Sequence, residues 1–302
     1  HGVDIIRLDA VPYIWKEVGT TCRNLPQVHV LTRLMRMATE VVCPGTLLLG
    51  EVVMEPSKVV PYFGSLKTPE CHMLYNVTTM ASTWHTVATR DVRLLRHQLE
   101  VQPRTYEGNF WHKAIYPNQV WLDGIYMAQP FYAMYEKYFG TGDYSDIVNQ
   151  IKNVHKRMYS EDKGLYFHGY DASKKAFWAD PETGCSKNFW LRSLGWFMVA
   201  LADLAEILPD GEQKDQLIPI FKELMGNMRR YADEVTGMYW QVPDQPGREG
   251  NYLETSGSAM MAYAMLKGSR LGILSGDYAE AGEKTFNGIM DRYLTFTDTG
   301  IN

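Results

Sequence analysis

Length, composition and charge are those of a globular protein. The chain has 302 residues, enough for one large or two ordinary domains, and its 45% hydrophobic and 22% charged residues do not favour disorder. The formal net charge is −5 and the sequence contains no run of basic residues, so we predict that it does not bind nucleic acid.

Cysteine spacing and apolar runs give a prediction of cellular location. Four cysteines lie far apart without a C-x-x-C pair, which argues against a zinc site and for buried or free thiols in a reducing compartment. The apolar runs stay far below the roughly 18 residues of a membrane span, and no signal peptide is recognisable. We therefore expect a cytoplasmic protein without a membrane partner. The first residues, HGVDIIRLDA, have a strand pattern and no initial Met, so we also expect a truncated N-terminus.

Short apolar runs alternate with helical patterns over about the first 90 residues. VDIIRLDAV and GTLLLGEVVM (45–54) are strand-like, and between them residues 27–42 carry apolar side chains at helical spacing. A helical turn is predicted at 55–62 and a further strand at 72–77. Strand, helix and strand at this spacing predict βαβ units of a parallel sheet.

Long helical patterns replace the strands from about residue 100. We predict helices at about 119–139, 144–159, 188–207, 212–232, 254–272 and 277–294. G-x-x-M begins alternate helices, and GLYFHGYD (164–171) and GMYWQVPD (237–244) share G-x-Y-aromatic-x-x-x-D at a spacing of 73 residues. We therefore predict helical hairpins, each followed by an extended aromatic turn, that close into a toroid or stack as a solenoid.

One acid in an aromatic-rich segment is the main candidate for catalysis. Asp123 lies among tryptophan, tyrosine and phenylalanine in NFWHKAIYPNQVWLDGIYMAQPFYAMY (109–135). Aromatic rings stack on sugar rings, and a carboxyl group that loses water among them favours its neutral, proton-donating form. We interpret Asp123 as a general acid, and then a base, in a carbohydrate site. The alternative is a helix N-cap or an acid on a helix surface.

Two histidines and a lysine are candidates for substrate binding. His112 and Lys113 precede Asp123 and could bind an anionic sugar, or else form a solvated pair in a loop. His168 lies in the first aromatic turn, where the second copy carries Gln241. Both of these side chains can hydrogen-bond a hydroxyl group, although a single histidine can equally be structural.

The starts of two later helices add further candidates. The segment SKNFWLRSLGW (186–196) contains Trp190, Arg192 and Trp196. Arg192 either holds a substrate carboxylate through two donors or stacks on a core tryptophan. NYLETSGSA (251–259) opens another inner helix with Glu254. We expect the helix starts of three hairpins to converge at one end of the fold.

Three long segments resemble the unsaturated glucuronyl and rhamnogalacturonyl hydrolase family: QPRTYEGNFWHKAIYPNQVWLDGIYMA, FWADPETGCSKNFWLRSLGW and GNYLETSGSAM. The resemblance implies a mainly α fold, an (α/α) toroid of six hairpins that is only partly present here. It implies that Asp123 is the acid/base residue. It implies substrate contacts at His112, Lys113, His168, Trp190, Arg192 and Trp196.

The same resemblance implies a reaction. Asp123 would protonate C4 of a 4,5-unsaturated uronic acid, water would add at C5, and the hemiketal would open to release a saturated sugar. No metal or organic cofactor is implied. Members of the family carry further hairpins on both sides, including a second aspartate, so we expect this toroid to be truncated at both ends.

Two acids in the first part form a second candidate site. Arg7 and Asp9 are two residues apart and share a strand face, and Glu51 ends a second strand. They could form a carboxylate pair for glycoside hydrolysis, or a buried ion pair beside an exposed loop acid. GVDIIRLDAVPYIWKEVGTTCRNLPQVH and LLLGEV resemble the α-amylase family of (β/α)8 barrels, nearest to amylosucrase-like members. The resemblance implies a nucleophile at Asp9, an acid/base at Glu51 and a supporting Arg7.

We therefore predict an incomplete α/β barrel fragment at 1–98 and a toroid-like hydrolase domain at 99–302. The fragment holds about three of eight barrel strands, so we predict no amylase-type activity from it. The main hypothesis is a glycoside hydrolase acting on small oligosaccharides with an unsaturated uronic acid, as in pectin degradation. The alternatives are a glucan or sucrose hydrolase or transglucosidase of the α-amylase family, and a helical repeat that binds carbohydrate without turnover.

Overall fold

Two spatial units are present in the computed structural model, His1–Val101 and Gln102–Asn302. The structure describes residues 3–65, 67–294, 296–297 and 300–301. The division lies three residues after the predicted boundary at residue 98. The division into a barrel fragment and a toroid-like hydrolase domain stays a prediction.

A three-stranded parallel sheet forms the centre of the first unit. Its strands, in spatial order, are β1 (Ile5–Leu8), β2 (Leu47–Gly50) and β3 (Met73–Leu74). Helix α1 (Pro26–Val42) connects β1 to β2, and Ile5 lies opposite Leu47. A helical crossover between parallel strands is the βαβ unit that the sequence predicts. The strand predicted at 72–77 is shorter than expected.

The rest of the first unit is helical around a small core. Its other helices are α2 (Pro56–Val59), α3 (Val77–Thr89) and α4 (Arg93–Val101), with 3-10 turns at Val11–Tyr13 and Val60–Phe63. The apolar core contains Val11, Val28, Val52 and Tyr62. Helices α3 and α4 pack on each other, and the periodicity analysis does not predict them. Helix α3 is rich in threonine, which weakens a helical pattern, but the Asn76 side chain caps its start.

Helical hairpins make up the second unit. Its helices are α5 (Leu122–Tyr138), α6 (Ser145–Met158), α7 (Leu191–Ile207), α8 (Glu212–Asp215), α9 (Ile218–Met228), α10 (Thr255–Arg270) and α11 (Gly276–Tyr293). Helix α5 packs on α7 and α7 packs on α10, while α6, α9 and α11 pack against α5, α7 and α10 respectively. The prediction of a mainly helical chain built from hairpins is confirmed.

Three predicted helices differ in detail from those of the structure. The pattern at 212–232 divides into α8, α9 and a 3-10 turn at Arg229–Tyr231. Pro219 lies in the first turn of α9, where its missing N–H is tolerated, so a new helix begins there. The starts predicted at 119 and 188 are too early, because Trp121 and Trp190 are extended residues that precede α5 and α7.

Short antiparallel strands connect the hairpins. They pair as β4 (Gln119–Trp121) with β7 (Gly169–Asp171), β5 (Tyr159–Ser160) with β6 (Leu165–Tyr166), β8 (Tyr239–Trp240) with β9 (Leu253–Glu254), and β10 (Phe296–Thr297) with β11 (Gly300–Ile301). The first glycine of each repeated aromatic turn has a similar backbone conformation. Gly164 and Gly237 have φ values of +65° and +71°, a left-handed conformation that glycine adopts without a steric penalty.

The core of the second unit lies between its inner helices. Leu122 of α5, Leu191 and Phe197 of α7, and Met261 of α10 are fully buried in one apolar cluster. This packing fixes the starts of the three inner helices relative to one another. None of the described helices is both long and apolar enough to cross a membrane. The cytoplasmic location stays a prediction.

Candidate functional site

Asp123 lies in the first turn of α5 and is partly buried. The N-cap position is occupied by Trp121, so Asp123 is not the capping residue that the alternative interpretation required. Its Oδ2 atom accepts a hydrogen bond of 2.5 Å from the Ser193 hydroxyl of α7, and Ser193 is fully buried. The start of a helix also favours negative charge on a nearby carboxyl group. The acid is therefore held between two packed inner helices.

A stack of three rings lies beside Asp123. The His112 and Trp121 rings are 4.7 Å apart at an interplanar angle of 2°, and Tyr116 lies 5.7 Å from Trp121. A Cβ atom on Gly124 would lie 2.9 Å from the Nδ1 atom of His112, so the missing side chain lets the ring lie against α5. An indole and a phenol that stack in parallel present the kind of flat apolar surface that sugars bind.

His112 is a neutral group rather than a cation at neutral pH. Burial lowers its pKa to about 4, and the neighbouring Lys113 acts in the same direction while Asp123 opposes it. Lys113 itself is exposed, with its ammonium group 5.7 Å from the centre of the Tyr116 ring. The two residues therefore offer an anionic sugar different interactions, a neutral hydrogen-bonding ring and a solvated positive charge.

The second histidine has a defined hydrogen-bonding role. The Nδ1 atom of His168 lies 3.0 Å from the Asn188 carbonyl oxygen and 3.0 Å from the Ser186 hydroxyl. Because a carbonyl oxygen only accepts, we assign a proton to Nδ1, and Nε2 is left for a contact with substrate. The ring lies edge-on to Trp121 and Trp190, at 6.2 and 6.1 Å. It joins the stack around His112 to the start of α7.

Arg192 lies over Trp190 at the start of α7. Its guanidinium carbon is 4.3 Å from the centre of the Trp190 ring, which is the stacking of the alternative interpretation, on a partly buried tryptophan and not a core one. Among the described residues Arg192 forms no ion pair, so its donors can still bind an anion. One helical turn further on, Trp196 stacks on Tyr126 of α5 at 4.7 Å.

Backbone hydrogen bonds connect the aromatic turns to the starts of two inner helices. Leu122 donates its N–H to the His168 carbonyl at 3.1 Å, and Leu191 donates its N–H to the Gln241 carbonyl at 3.0 Å. Each aromatic turn therefore supports the first residue of an inner helix in the same way. Glu254, the candidate at the third start, is the N-cap of α10 and accepts from the Ser256 and Gly257 amides, which is a structural role.

A cavity of about 210 Å³ lies next to this cluster. It is lined by Gln102, Phe110, Trp111, His112, Val120, Trp121, Gly124, Ile125, Met127, Ala128, Gln129 and Gln150. Asp123 is not among the lining residues, so the cavity adjoins the acid without containing it. In the described part of the chain, Trp111 Nε1, His112 Nδ1 and Gln129 Oε1 are buried without a hydrogen-bond partner.

A family comparison assigns this fold. The model of Glycosyl Hydrolase Family 88 matches residues 70–300, which is more than half of the chain. The chain belongs to this family. The match begins within the segment that the sequence analysis assigned to a barrel fragment, so the two resemblances overlap in 70–98.

Solved structures of family 88 and related proteins show the same fold. A glycoside hydrolase from family 105 of C. acetobutylicum is 39% identical with a TM-score of 0.69, over 74% of this chain and 63% of that chain. The unsaturated glucuronyl hydrolase of Bacillus sp. GL1 is 15% identical with a TM-score of 0.53, over 74% of this chain and 63% of that chain, a likeness of fold alone. The chain spans 60% of the length of a curated Agrobacterium fabrum relative, Protein Atu3128, to which it is 38% identical over 142 residues.

The candidate residues of the first unit also lie together. Arg7 donates to Asp9 and, at 3.0 Å, to Glu51, whose carboxylate also accepts from the Ala10 amide at 3.2 Å. The hydrogen bonds with Glu51 and Asp9 raise the pKa of Arg7. The predicted ion pair is therefore present, but it is exposed and not buried: the Asp9 side chain is 76% accessible to solvent.

A curated protein also matches a short part of this chain. The trehalose synthase/amylase TreS of Mycolicibacterium smegmatis is 43% identical over 81 residues, which are 26% of this chain and 14% of that protein. The match agrees with the predicted resemblance to the α-amylase family. The roles assigned to Arg7, Asp9 and Glu51 stay predictions.

The structure adds residues that the sequence analysis did not select. Ser193 contacts Asp123 from α7, and Trp178 lies edge-on to Trp121 at 6.2 Å and 6.4 Å from His168. Trp178 could have been selected because it lies in a segment that carries the family resemblance. Ser193 lies in the same segment, but its contact with Asp123 could not be predicted because the two residues are 70 positions apart.

The described residues form no group of three or more His, Cys, Asp or Glu side chains that could hold a metal ion. The four cysteines are free thiols, as predicted, and Cys71 and Cys185 are buried. Burial raises the pKa of both buried thiols to about 11, so they remain protonated at neutral pH.

Proposed function

We propose that the second unit hydrolyses small oligosaccharides that end in a 4,5-unsaturated uronic acid, by hydrating the double bond. The single observation that carries the proposal is the position of Asp123 in a member of Glycosyl Hydrolase Family 88. This carboxyl group lies in the first turn of an inner helix, bonded to Ser193 and bordered by stacked aromatic rings. The name of a neighbour in fold, an unsaturated glucuronyl hydrolase, supports the substrate class.

The side chains around Asp123 suit an anionic sugar ring. Arg192 has free donors for the uronic carboxylate, and its planar fork matches that group through two parallel hydrogen bonds. Neutral His112 and the Nε2 atom of His168 suit hydroxyl groups. The tryptophan and tyrosine rings provide surfaces on which the sugar stacks.

The proposed reaction begins with a proton transfer from Asp123. The carboxyl group protonates C4 of the enol ether, and the ring oxygen stabilises the positive charge that develops at C5. The resulting carboxylate then accepts a proton from the water that adds at C5. The product is a hemiketal that opens to a ketone and leaves a hemiacetal at C1. Collapse of that hemiacetal releases the saturated sugar. The sequence of steps consumes one water and restores the protonated acid.

A pair of disaccharides with the same linkage tests the proposal. The chain is incubated with an unsaturated rhamnogalacturonan disaccharide and with its saturated counterpart. Hydration requires the double bond, so we expect sugar release and loss of ultraviolet absorbance from the unsaturated substrate alone. Release of sugar from both substrates would indicate direct attack on the glycosidic bond and would contradict the proposal.

Two other outcomes correspond to the alternative functions. Calorimetric binding of the unsaturated disaccharide without turnover would indicate a helical repeat that binds carbohydrate only. Release of glucose from sucrose or a maltooligosaccharide, abolished by Asp9→Asn, would indicate an enzyme of the α-amylase type. We expect neither, because Asp9 lies in an exposed cluster whose arginine is already bound by two carboxylates.

A further inference from the structure

The hydroxyl of Ser193 makes an unusual contact for a buried helical residue. Serine and threonine inside helices commonly donate to the carbonyl four residues earlier. Thr32, Thr39 and Thr285 do so in this chain, at 2.8, 2.8 and 2.9 Å. Ser193 is fully buried in α7 and instead donates across the helix interface to Oδ2 of Asp123 at 2.5 Å. The single hydroxyl proton of Ser193 is therefore donated to Asp123 and not to the backbone of α7.

The two oxygens of Asp123 are consequently not equivalent. Oδ2 accepts from Ser193, whereas Oδ1 has no hydrogen-bond partner among the described residues. An oxygen that already accepts a hydrogen bond is the better carbonyl-type oxygen of a neutral carboxyl group, so the acidic proton resides on the other oxygen. When the carboxyl group is ionised, the same hydroxyl makes a stronger, charge-assisted bond to it.

We propose that Ser193 is a positioning residue that keeps the proton of Asp123 on Oδ1, the oxygen without a hydrogen-bond partner among the described residues. The inference rests on the proposed function and adds the residue that orients its acid. Ser193 donates in both steps, to the neutral acid before the transfer to C4 and to the carboxylate that then accepts a proton from water. Neither step requires the serine to move.

The experiment compares Ser193→Ala with two other variants on the unsaturated disaccharide. Ser193→Thr keeps the hydroxyl. Ser258→Ala is the matched control, because Ser258 is also fully buried on an inner helix and its hydroxyl accepts from the Tyr239 amide. We expect Ser193→Ala to lower kcat by about 10- to 100-fold, the range for a lost hydrogen bond to a charged group, with KM within about twofold. Ser193→Thr should restore kcat, and Ser258→Ala should leave it unchanged.

The division between kcat and KM separates positioning from a structural role. A packing defect between the inner helices would change KM or the yield of folded protein as well, and Ser193→Thr would not repair it. Loss of the hydrogen bond alone should lower kcat and leave KM and folding nearly unchanged in Ser193→Ala. If that variant folds poorly, Ser193→Cys, which is similar in size and a weaker donor, should give a smaller change in the same direction.

Three results would overturn the inference. An unchanged kcat in Ser193→Ala would show that the hydrogen bond does not affect the acid. An equal loss in Ser258→Ala would assign the effect to packing in general. Full activity of Asp123→Asn would overturn the proposed function and this inference with it, whereas the first two results would leave the proposed function intact.

Discussion

The two units place similar side chains in very different surroundings. Arg7 of the first unit and Arg192 of the second unit each lie beside residues that the sequence selects for catalysis. Arg7 is bound by Asp9 and Glu51 at an exposed sheet end, whereas Arg192 has no acidic partner among the described residues and stacks on Trp190. An arginine with free donors can bind an anionic substrate, and an arginine whose donors are taken must first lose its ion pairs.

The apolar cores of the two units differ in size. The first unit has a small apolar core around Val11, Val28, Val52 and Tyr62. The second unit has an extended cluster that includes residues from all three inner helices. A large core holds side chains near one geometry, which a catalytic acid needs. Residue types at a suitable spacing are therefore not sufficient evidence for a site, because burial and available donors decide what those residues can do.

The largest expected effect is that of Asp123→Asn. The amide cannot supply a proton to C4, so we expect the rate on the unsaturated disaccharide to fall about 1,000-fold, within the range for general acid catalysis. The matched control is Asp162→Asn, an exposed aspartate of the same unit whose side chain is 86% accessible. If Asp123→Asn retained more than a tenth of the activity, the reaction would not depend on this acid, and the contrast between the two units would not hold.

Arg192→Lys tests whether free arginine donors matter. The lysine keeps the charge but cannot form two parallel hydrogen bonds with a carboxylate, so we expect KM to rise about tenfold with a smaller change in kcat. Arg7→Lys is the control from the first unit and should leave both constants unchanged. Steady-state kinetics on the unsaturated disaccharide give both values. Equal effects of the two substitutions would remove the distinction between the arginines.

Substitution of His112 should change how the free energy of unfolding depends on pH, an effect of intermediate size. Its pKa is about 4 in the folded chain and near 6.5 when unfolded, so the unfolded state takes up the proton first as the pH falls. The neutral His112 ring therefore contributes fully to the free energy of unfolding above about pH 6.5. This contribution, about 1–2 kcal/mol after allowance for solvent screening, is lost as the pH falls towards 4. Urea unfolding across this range should show a weaker pH dependence in His112→Asn.

Lys113→Gln is the control for that measurement. Burial is the main cause of the lowered pKa of His112, and the charge of Lys113 is a secondary one. Removing the lysine should therefore reduce the pH dependence only slightly. A reduction as large as that of His112→Asn would show that charge repulsion, and not burial, keeps the imidazole neutral.

Asp9→Asn should have the smallest effect. The Arg7–Asp9 pair is exposed, and exposed ion pairs contribute roughly 0–1 kcal/mol to the free energy of unfolding. We expect the activity on the unsaturated disaccharide to remain unchanged and the unfolding free energy to change by less than about 1 kcal/mol. Kinetics and urea unfolding of the same preparation measure both. A substantial loss of activity would mean that the exposed cluster takes part in the reaction.

The sequence predicted those features that depend on local patterns. Apolar periodicity predicted the inner helices, and the aromatic segment around Asp123 predicted the cluster with His112 and Trp121. The repeat of 73 residues predicted that His168 and Gln241 occupy equivalent turns, and each turn carbonyl accepts from the first residue of an inner helix.

The remaining features depend on contacts between distant segments. The bond from Ser193 to Asp123 requires the register of α7 against α5, which periodicity does not determine. The neutral state of His112 depends on the burial of its ring. The ring lies against α5, where Gly124 has no side chain to keep it away, and the sequence does not show this contact. Helix α3 was absent from the prediction because its threonine-rich segment gives a weak helical pattern.

The most direct test of the account is the position of the proton that Asp123 delivers. The unsaturated disaccharide is converted in D₂O, and the product is reduced as it forms so that its ketone cannot exchange neighbouring hydrogens. We predict one deuteron at C4 with the unsubstituted chain and no product above background with Asp123→Asn. A released sugar whose uronic partner keeps its double bond, without deuterium at C4, would contradict protonation at that carbon.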